Sequence, residues 1–364
     1  MQSCYSSVSI CVFCGQKIFV FLCPLCVKTL LLRHSAILFS GLQACISPAN
    51  RETCRAMLQH RFDKAEWKEQ AAGYGALLAA IALFSTIEVA SKKLGTGLPP
   101  ILMAVLRFSI TGLILLLPAV KTLRLRKDPL ALTDFKNLLW MGSIGVALSI
   151  GLYHLAITHM QANAAAILFS ANPVFVILFS PFLLKERPSW KNGAAVALGL
   201  VGIAFFFRHS GAGRQSATGV LLMLGAEIAF ALYTVLSKKF MPRYGAIVIT
   251  CFAGLIGSAI LLPLSLLFEG NPLPYLLHCS WPGILYLAVF ATAIGYLAFF
   301  FGVVTVGASR GSLFFFLKPL LASLFAWVIL GERLTPDLLT GGVFILLALI
   351  FVIWPLSNRL ISPE

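Results

Sequence analysis

From Gly73 onward the chain reads as a succession of apolar runs separated by short polar or proline-containing connections. A backbone inside hydrocarbon must satisfy its polar groups internally, so a span is either a helix of about 20 apolar residues or a strand of about 10 with alternating polarity. These runs are long and do not alternate. They predict ten helices, at about residues 73–93, 99–119, 137–157, 162–184, 190–208, 219–239, 245–268, 282–303, 308–330 and 337–356. The expected fold class is an all-α membrane protein.

Composition narrows the class further. Of 364 residues, 59% are hydrophobic and 11% charged, whereas a soluble domain carries about a quarter charged residues. An ordinary soluble enzyme is excluded. In a soluble chain the formal charge of +15 would suggest a nucleic-acid partner. Distributed over alternate sides of the ten-helix map, however, Lys and Arg fall fifteen to one side and five to the other. The richer side includes Lys121, Arg124, Arg126, Lys127, Lys238 and Lys239. Cytoplasmic loops accumulate such residues, which places both termini of the ten-helix unit in the cytoplasm of a cell whose inner membrane it crosses many times. The charge then has a topological cause, and no nucleic-acid partner is expected.

Shifting the chain by 146 residues lays Gly73 on Gly219, Phe84 on Phe230, Ser91-Lys92-Lys93 on Ser237-Lys238-Lys239, Pro173 on Pro319 and Glu186-Arg187 on Glu332-Arg333. Five helices per half is an odd number, so the second half enters the membrane from the opposite side. Two inverted five-helix repeats are an arrangement of secondary transporters, with substrate held near the midplane between repeats. The domain layout expected is a Cys-rich leader at 1–56, a cytoplasmic lead at 57–72, a first repeat at 73–208, a second at 219–356 and a cytoplasmic tail at 357–364.

Several motifs carry a resemblance. Pro99-Pro100 precedes Arg107-Phe108 in the second helix; Asn172-Pro173 leads to Leu184-Lys185-Glu186-Arg187 at the end of the fourth; Pro319 leads to Leu330-Gly331-Glu332-Arg333-Leu334 at the end of the ninth. With the glycines from Gly193 to Gly202 and at Gly341-Gly342, the chain over 73–356 resembles the EamA family of the drug/metabolite transporter superfamily. The resemblance implies a ten-helix carrier that moves small metabolites, amino acids or drugs, often outward and without ATP. No cofactor is expected, and no Gly-x-x-x-x-Gly-Lys-Ser/Thr loop is present.

An ionisable side chain near the bilayer centre costs at least about 2.5 kcal/mol, so those present usually face a cavity or a partner. Four qualify: Glu88, Arg107, Glu227 and Lys318. In repeat coordinates the two glutamates share nearly one helical stripe, which predicts that both face the inter-repeat cavity as candidates for proton or cation coupling. The structural alternative ties each to a neighbouring cation or backbone group. Lys318 falls on Asn172, itself a candidate substrate-binding residue in the cavity, and each precedes a proline that frees a carbonyl four residues earlier. Lys318 is a candidate for a substrate carboxylate, or for an ion pair with Glu88 or Glu227 in the empty state. Arg107 is a candidate substrate contact, with satisfaction of carbonyls at a helix contact as its alternative.

Tyr153, His154 and Tyr233 are candidate cavity residues, and His154 also a proton relay or an exposed group near a helix end. Glu186 and Glu332, with Pro173 and Pro319, are assigned to gating or structure, each glutamate beside an arginine that can pair with it. Gly142, Gly145, Gly151, Gly295 and Gly302 suggest close helix packing.

Within the leader, Cys11, Cys14, Cys23 and Cys26 form two Cys-x-x-Cys pairs that suggest a small zinc site. The apolar flanks favour instead a further membrane segment, or a natural start at Met57. The function expected is a secondary transporter of a small amino acid-like or drug-like solute, by alternating access and with coupling to a proton or cation. Its partners are that solute and the lipid bilayer. The alternatives from other classes are a sensor or channel, and a membrane-embedded lipid-modifying enzyme.

Overall fold

The computed structural model describes residues 51–94, 98–125, 131–159, 167–186, 189–209, 216–330 and 340–350. Cys11, Cys14, Cys23 and Cys26 of the leader and Glu332 lie outside these residues, and of Glu88 only the helical backbone is described. The chain divides into residues 1–68 and 69–364. The first unit is helical over its described part, and the second carries everything that follows.

All regular structure among the described residues is helical. The helices are α1 (Arg51–Leu94), α2 (Pro100–Arg124), α3 (Leu132–Gly142, continuing through Ser149–His159), α4 (Asn172–Leu184) and α5 (Trp190–His209). A helical stretch Ala217–Phe268 then breaks at Gly245, whose φ of 78° and ψ of 160° are unfavourable for a residue with a Cβ. It forms α6 (217–244) and α7 (246–268). After these come α8 (Trp281–Tyr286, continuing through Gly295–Val306), α9 (Ala308–Ser312, continuing through Leu317–Leu330) and α10 (Thr340–Ile350).

Among the described residues, seven helical stretches are long and apolar enough to cross a membrane. One of them is the 52-residue Ala217–Phe268, roughly twice the length one crossing needs. Large apolar side chains such as Leu117, Phe182 and Leu267 are about four-fifths exposed, as lipid-facing positions of a membrane protein are.

Several helices depart from regular α geometry, and the departures recur. Both α3 and α8 contain π segments, Ser143–Leu148 and Leu287–Ile294. Turns at Ser170 and Ala171 interrupt the chain just before α4, and a 3₁₀ segment, Leu313–Phe316, interrupts α9. Under the 146-residue shift the members of each pair overlap. Prolines explain the second pair, because Pro173 and Pro319 cannot donate to the preceding turn. The five glycines noted above do sit at close approaches. A Cβ at Gly145 would lie 2.3 Å from the Tyr233 ring, and one at Gly302 would lie 2.4 Å from Leu77.

Three polar contacts bind helices end to end. Glu269, after α7, accepts the Ile101 and Leu102 amides at 2.7 and 2.8 Å, and so caps an α2 that begins Pro99-Pro100 without a side-chain cap of its own. Asp134 in the first turn of α3 accepts from Arg243, from the Tyr244 hydroxyl at 2.7 Å and from the Ala131 amide at 2.8 Å. This joins the start of α3 to the break between α6 and α7. Glu186 accepts from Lys238 at the end of α6 and from the Ser309 hydroxyl at 3.4 Å in the first turn of α9.

Candidate functional site

The middle of the bundle is filled with aromatic rings. Phe84 meets Tyr296 edge-on at 5.3 Å, Phe169 meets Phe230 at 5.3 Å, and Phe315 meets Phe299 edge-on at 5.3 Å. Within this cluster opens a small cavity of about 50 Å3. Its walls come from α1 (Phe84, Ile87), α2 (Arg107), α3 (Ile150, Tyr153, His154), the short helical segment ahead of the turn before α4 (Phe169), α6 (Phe230), α8 (Tyr296) and α9 (Phe315, Lys318). The lining is thus mainly apolar and aromatic with a few polar groups, the usual make-up of a small-molecule site.

The helix irregularities shape this lining. Ile150, Tyr153 and His154 directly follow the π segment of α3, and Tyr296 directly follows that of α8. Such segments shift the register of a helix and often mark functional positions. Thr292, inside the second π segment, donates to Leu287 O at 2.7 Å and accepts from Arg107 Nε and Nη2 at 3.3 and 3.2 Å. The guanidinium also lies 5.7 Å from the Phe108 ring centre. Arg107 is therefore held by a threonine side chain and by its neighbouring ring, and it still reaches the cavity wall.

Lys318 follows the 3₁₀ segment of α9. It is buried, with Nζ 5.5 Å from the Phe169 ring centre and 5.8 Å from that of Tyr153. A cation over an aromatic face gains roughly 0.5 to 2 kcal/mol, which steadies the ammonium at the cavity. His154 is buried and stands edge-on to Tyr153 at 5.4 Å, and its Nε2 has no hydrogen-bond partner. An exposed position near a helix end is thus not its place.

Three expected cavity residues lie elsewhere. Tyr233 is buried against Gly145 and Phe300, with ring centres 5.6 Å apart in the second contact, and does not line the cavity. Asn172 is fully buried and donates Nδ2 to the Glu227 carbonyl at 3.2 Å. Glu227 itself is 0% exposed, away from the cavity lining, and neither of its carboxylate oxygens has a hydrogen-bond partner. Asn172 directly follows the turn at Ser170 and Ala171 and meets the α6 backbone there.

Glu186 has a partner on another helix, while the expected partner Arg187 lies outside the described residues. Lys185 is left-handed, with φ of 56° and ψ of 22°, which ends α4 and sends the next residue across to α6 and α9. The carboxylate pairs with Lys238 and approaches the Ala308 amide at 3.5 Å. Pro173 opens α4 in its first turn, where its missing N–H costs nothing, and Pro319 occupies the first turn after the 3₁₀ segment. Thr292, Lys238, Asp134, Arg243, Tyr244 and Glu269 carry the polar contacts between helices that sequence reasoning did not pick out. Of these only Asp134, an acidic residue just ahead of an apolar run, bears a local signal, that of a helix start.

Residues 71–208 match the EamA-like transporter family, and residues 217–354 match it again. The two matches are offset by the same 146 residues as the internal repeat. An uncharacterized transporter from Clostridium kluyveri is 31% identical over 287 residues, which span 76% of this chain and 91% of the relative. The uncharacterized transporter YetK from Bacillus subtilis is 30% identical over 275 residues, spanning 73% and 82%. A probable terminal-alkyne amino-acid exporter from Streptantibioticus cattleyicolor is 28% identical over 191 residues, spanning 50% and 61%. A solved crystal structure superposes with a TM-score of 0.63 at 22% identity, covering 81% of this chain and 99% of that one, which shows a shared fold.

Proposed function

The chain belongs to the EamA-like transporter family, and from that premise we infer that it is a secondary transporter moving a small organic metabolite across the cytoplasmic membrane by alternating access. One observation carries the reading. The cavity is walled by both family matches, with Arg107, Tyr153, His154 and Phe169 from the first and Phe230, Tyr296, Phe315 and Lys318 from the second. A site between two repeats changes its exposure when one repeat rocks against the other.

The reading takes the ten helices as two inverted halves with cytoplasmic termini. The solute it supports carries a carboxylate or comparable anionic group beside an apolar body. Lys318 and Arg107 supply the cationic contacts, and the rings of Tyr153, Phe169, Phe230 and Tyr296 supply the apolar wall. Glu88, one residue beyond Ile87 on α1, is proposed as the group that pairs with Lys318 until an anionic solute displaces it. The Glu186–Lys238 pair serves as the cytoplasmic latch, joining the ends of α4 and α6 to the start of α9, and it parts when that face opens. Outward transport of an amino acid-like solute is supported by the exporter among the relatives.

The test begins with an untargeted metabolite comparison of cells with and without the protein. The compound most changed is then assayed for counterflow in proteoliposomes. Saturable flux that unlabelled solute accelerates from the opposite side is expected. Flux that rises linearly with concentration and shows no such acceleration would indicate a channel.

A further inference from the structure

Behind the cavity wall lies a second polar site. Glu227, on α6, is fully buried with both carboxylate oxygens unpartnered, and the adjacent Asn172 has an unpartnered Oδ1. We propose that Glu227 is a proton-carrying site, separate from the substrate cavity, whose carboxyl holds a proton in the conformation described and exchanges it when the break before α4 moves.

An isolated ionised carboxylate is far too costly to bury in an apolar interior, and such a group neutralises or acquires a partner. The backbone amide of Ala171 faces the carboxyl but is already bonded to Leu168 O at 2.9 Å, so no strong partner is present among the described residues. The surrounding ionisable groups are placed elsewhere: Arg107, Tyr153, His154, Tyr296 and Lys318 at the cavity, Tyr233 against Gly145 on α3, and Cys251 of α7 donating to Gly112 O. Along α4 no ionisable residue occurs between Asn172 and Leu184. The nearby Ser149 hydroxyl is committed to Ala226 O at 3.0 Å. A metal cation would need a shell of several oxygens. A proton needs none, and it turns the carboxyl into a donor, which is what a site with only orphaned acceptors lacks.

The position links this acid to the cavity. Phe230 stands one turn beyond Glu227 on α6 and lines the cavity against Phe169, while Phe169 stands just ahead of the turn that Asn172 follows. A solute that displaces the Phe169–Phe230 contact moves both elements that bury Glu227. The proton then comes from water on one side of the membrane and returns to water on the other, with no other bond made or broken. The use of the proton for coupling rests on the transporter reading, whereas its presence on Glu227 does not.

Infrared difference spectroscopy of the full chain in lipid nanodiscs tests its presence. At neutral pH the wild type is expected to show the carbonyl band of a protonated carboxyl. The band should be missing from Glu227→Gln, kept in Lys318→Ala, and shifted in frequency in Asn172→Ala. Glu227→Gln should also melt at the wild-type temperature, since a neutral amide imitates a neutral acid. Absence of a Glu227 band at neutral pH, its removal by sodium, or failure of Glu227→Gln to fold would each overturn the site.

A second arm uses the metabolite identified from cells. A pH gradient should drive its accumulation by the wild type, while Glu227→Gln retains counterflow and loses the response to the gradient. An equal response in both forms overturns the coupling role. Absence of wild-type flux with the infrared band intact overturns the transporter reading instead, and leaves the proton site standing.

Discussion

The repeat-equivalent positions Asn172 and Lys318 sit at matching interruptions in their helices and do different work. Before α4, Asn172 directly follows the turn at Ser170 and Ala171 and meets the α6 backbone, 3.2 Å from the Glu227 carbonyl. In α9 the 3₁₀ segment Leu313–Phe316 delivers Lys318 to the cavity, between the rings of Tyr153 and Phe169. The backbone device is shared, with a proline following each position. What differs is the side chain and the direction in which the interruption sends it. A duplicated break thus yields two unlike sites, one offering a cation to the cavity and one lying against a buried acid.

The sharpest way to break this comparison is to make the two positions alike. Lys318→Asn is expected to lower solute flux about ten- to a hundredfold, the loss of one charged hydrogen bond of roughly 1.5 to 3 kcal/mol. Undiminished flux would remove Lys318 from the site. Arg107→Gln should give a smaller fall, about tenfold, because the guanidinium also spends contacts on Thr292 and Phe108 and the lost interaction is shared with them. The diagnostic readout is a rise in the solute concentration that half-saturates flux, without loss of folded protein.

The latch gives a gentler test. Its residues are partly exposed, at 19% and 25% of their side chains, and such pairs are worth about 1 kcal/mol or less. Glu186→Gln should change the counterflow rate about two- to fivefold, with Lys238→Met giving the same change and the double variant no more. Additive effects would show that the two side chains act independently. The smallest effect on transport is expected at the Asp134 cluster. Tyr244→Phe removes hydrogen bonds to Asp134 and Asn137. It should lower stability by about 1 kcal/mol, read as a lower melting temperature, with flux per folded molecule unchanged.

Particular residues show how far sequence reasoning reaches. The helices of α2, α7 and α9 were legible because apolar runs with few breakers leave a membrane-spanning backbone no other option. The breaks in α4 and α9 were partly legible through Pro173 and Pro319. The π segments of α3 and α8 were not, because nothing in Ser-Ile-Gly-Val-Ala-Leu or Leu-Ala-Val-Phe-Ala-Thr-Ala-Ile forbids regular helix. Thr292's hold on Arg107 depends on that geometry and stayed hidden with it.

Counting along a stripe of straight helices places Glu227 at the cavity. That count is blind to Phe230, which fills the cavity wall one turn away. Partners distant in sequence were also out of reach. The contact of Glu186 with Lys238, 52 residues on, follows the left-handed Lys185, which no local pattern announces.

Counterflow through the cavity tests the central claim most directly. Proteoliposomes containing the wild type or Lys318→Ala would be loaded with the unlabelled metabolite found in the cell comparison and given the labelled form outside. Transient, saturable accumulation by the wild type and its near-complete loss in Lys318→Ala, with both proteins equally folded, is the predicted result. Equal accumulation by the two forms would contradict the assignment of the cavity as the transport site.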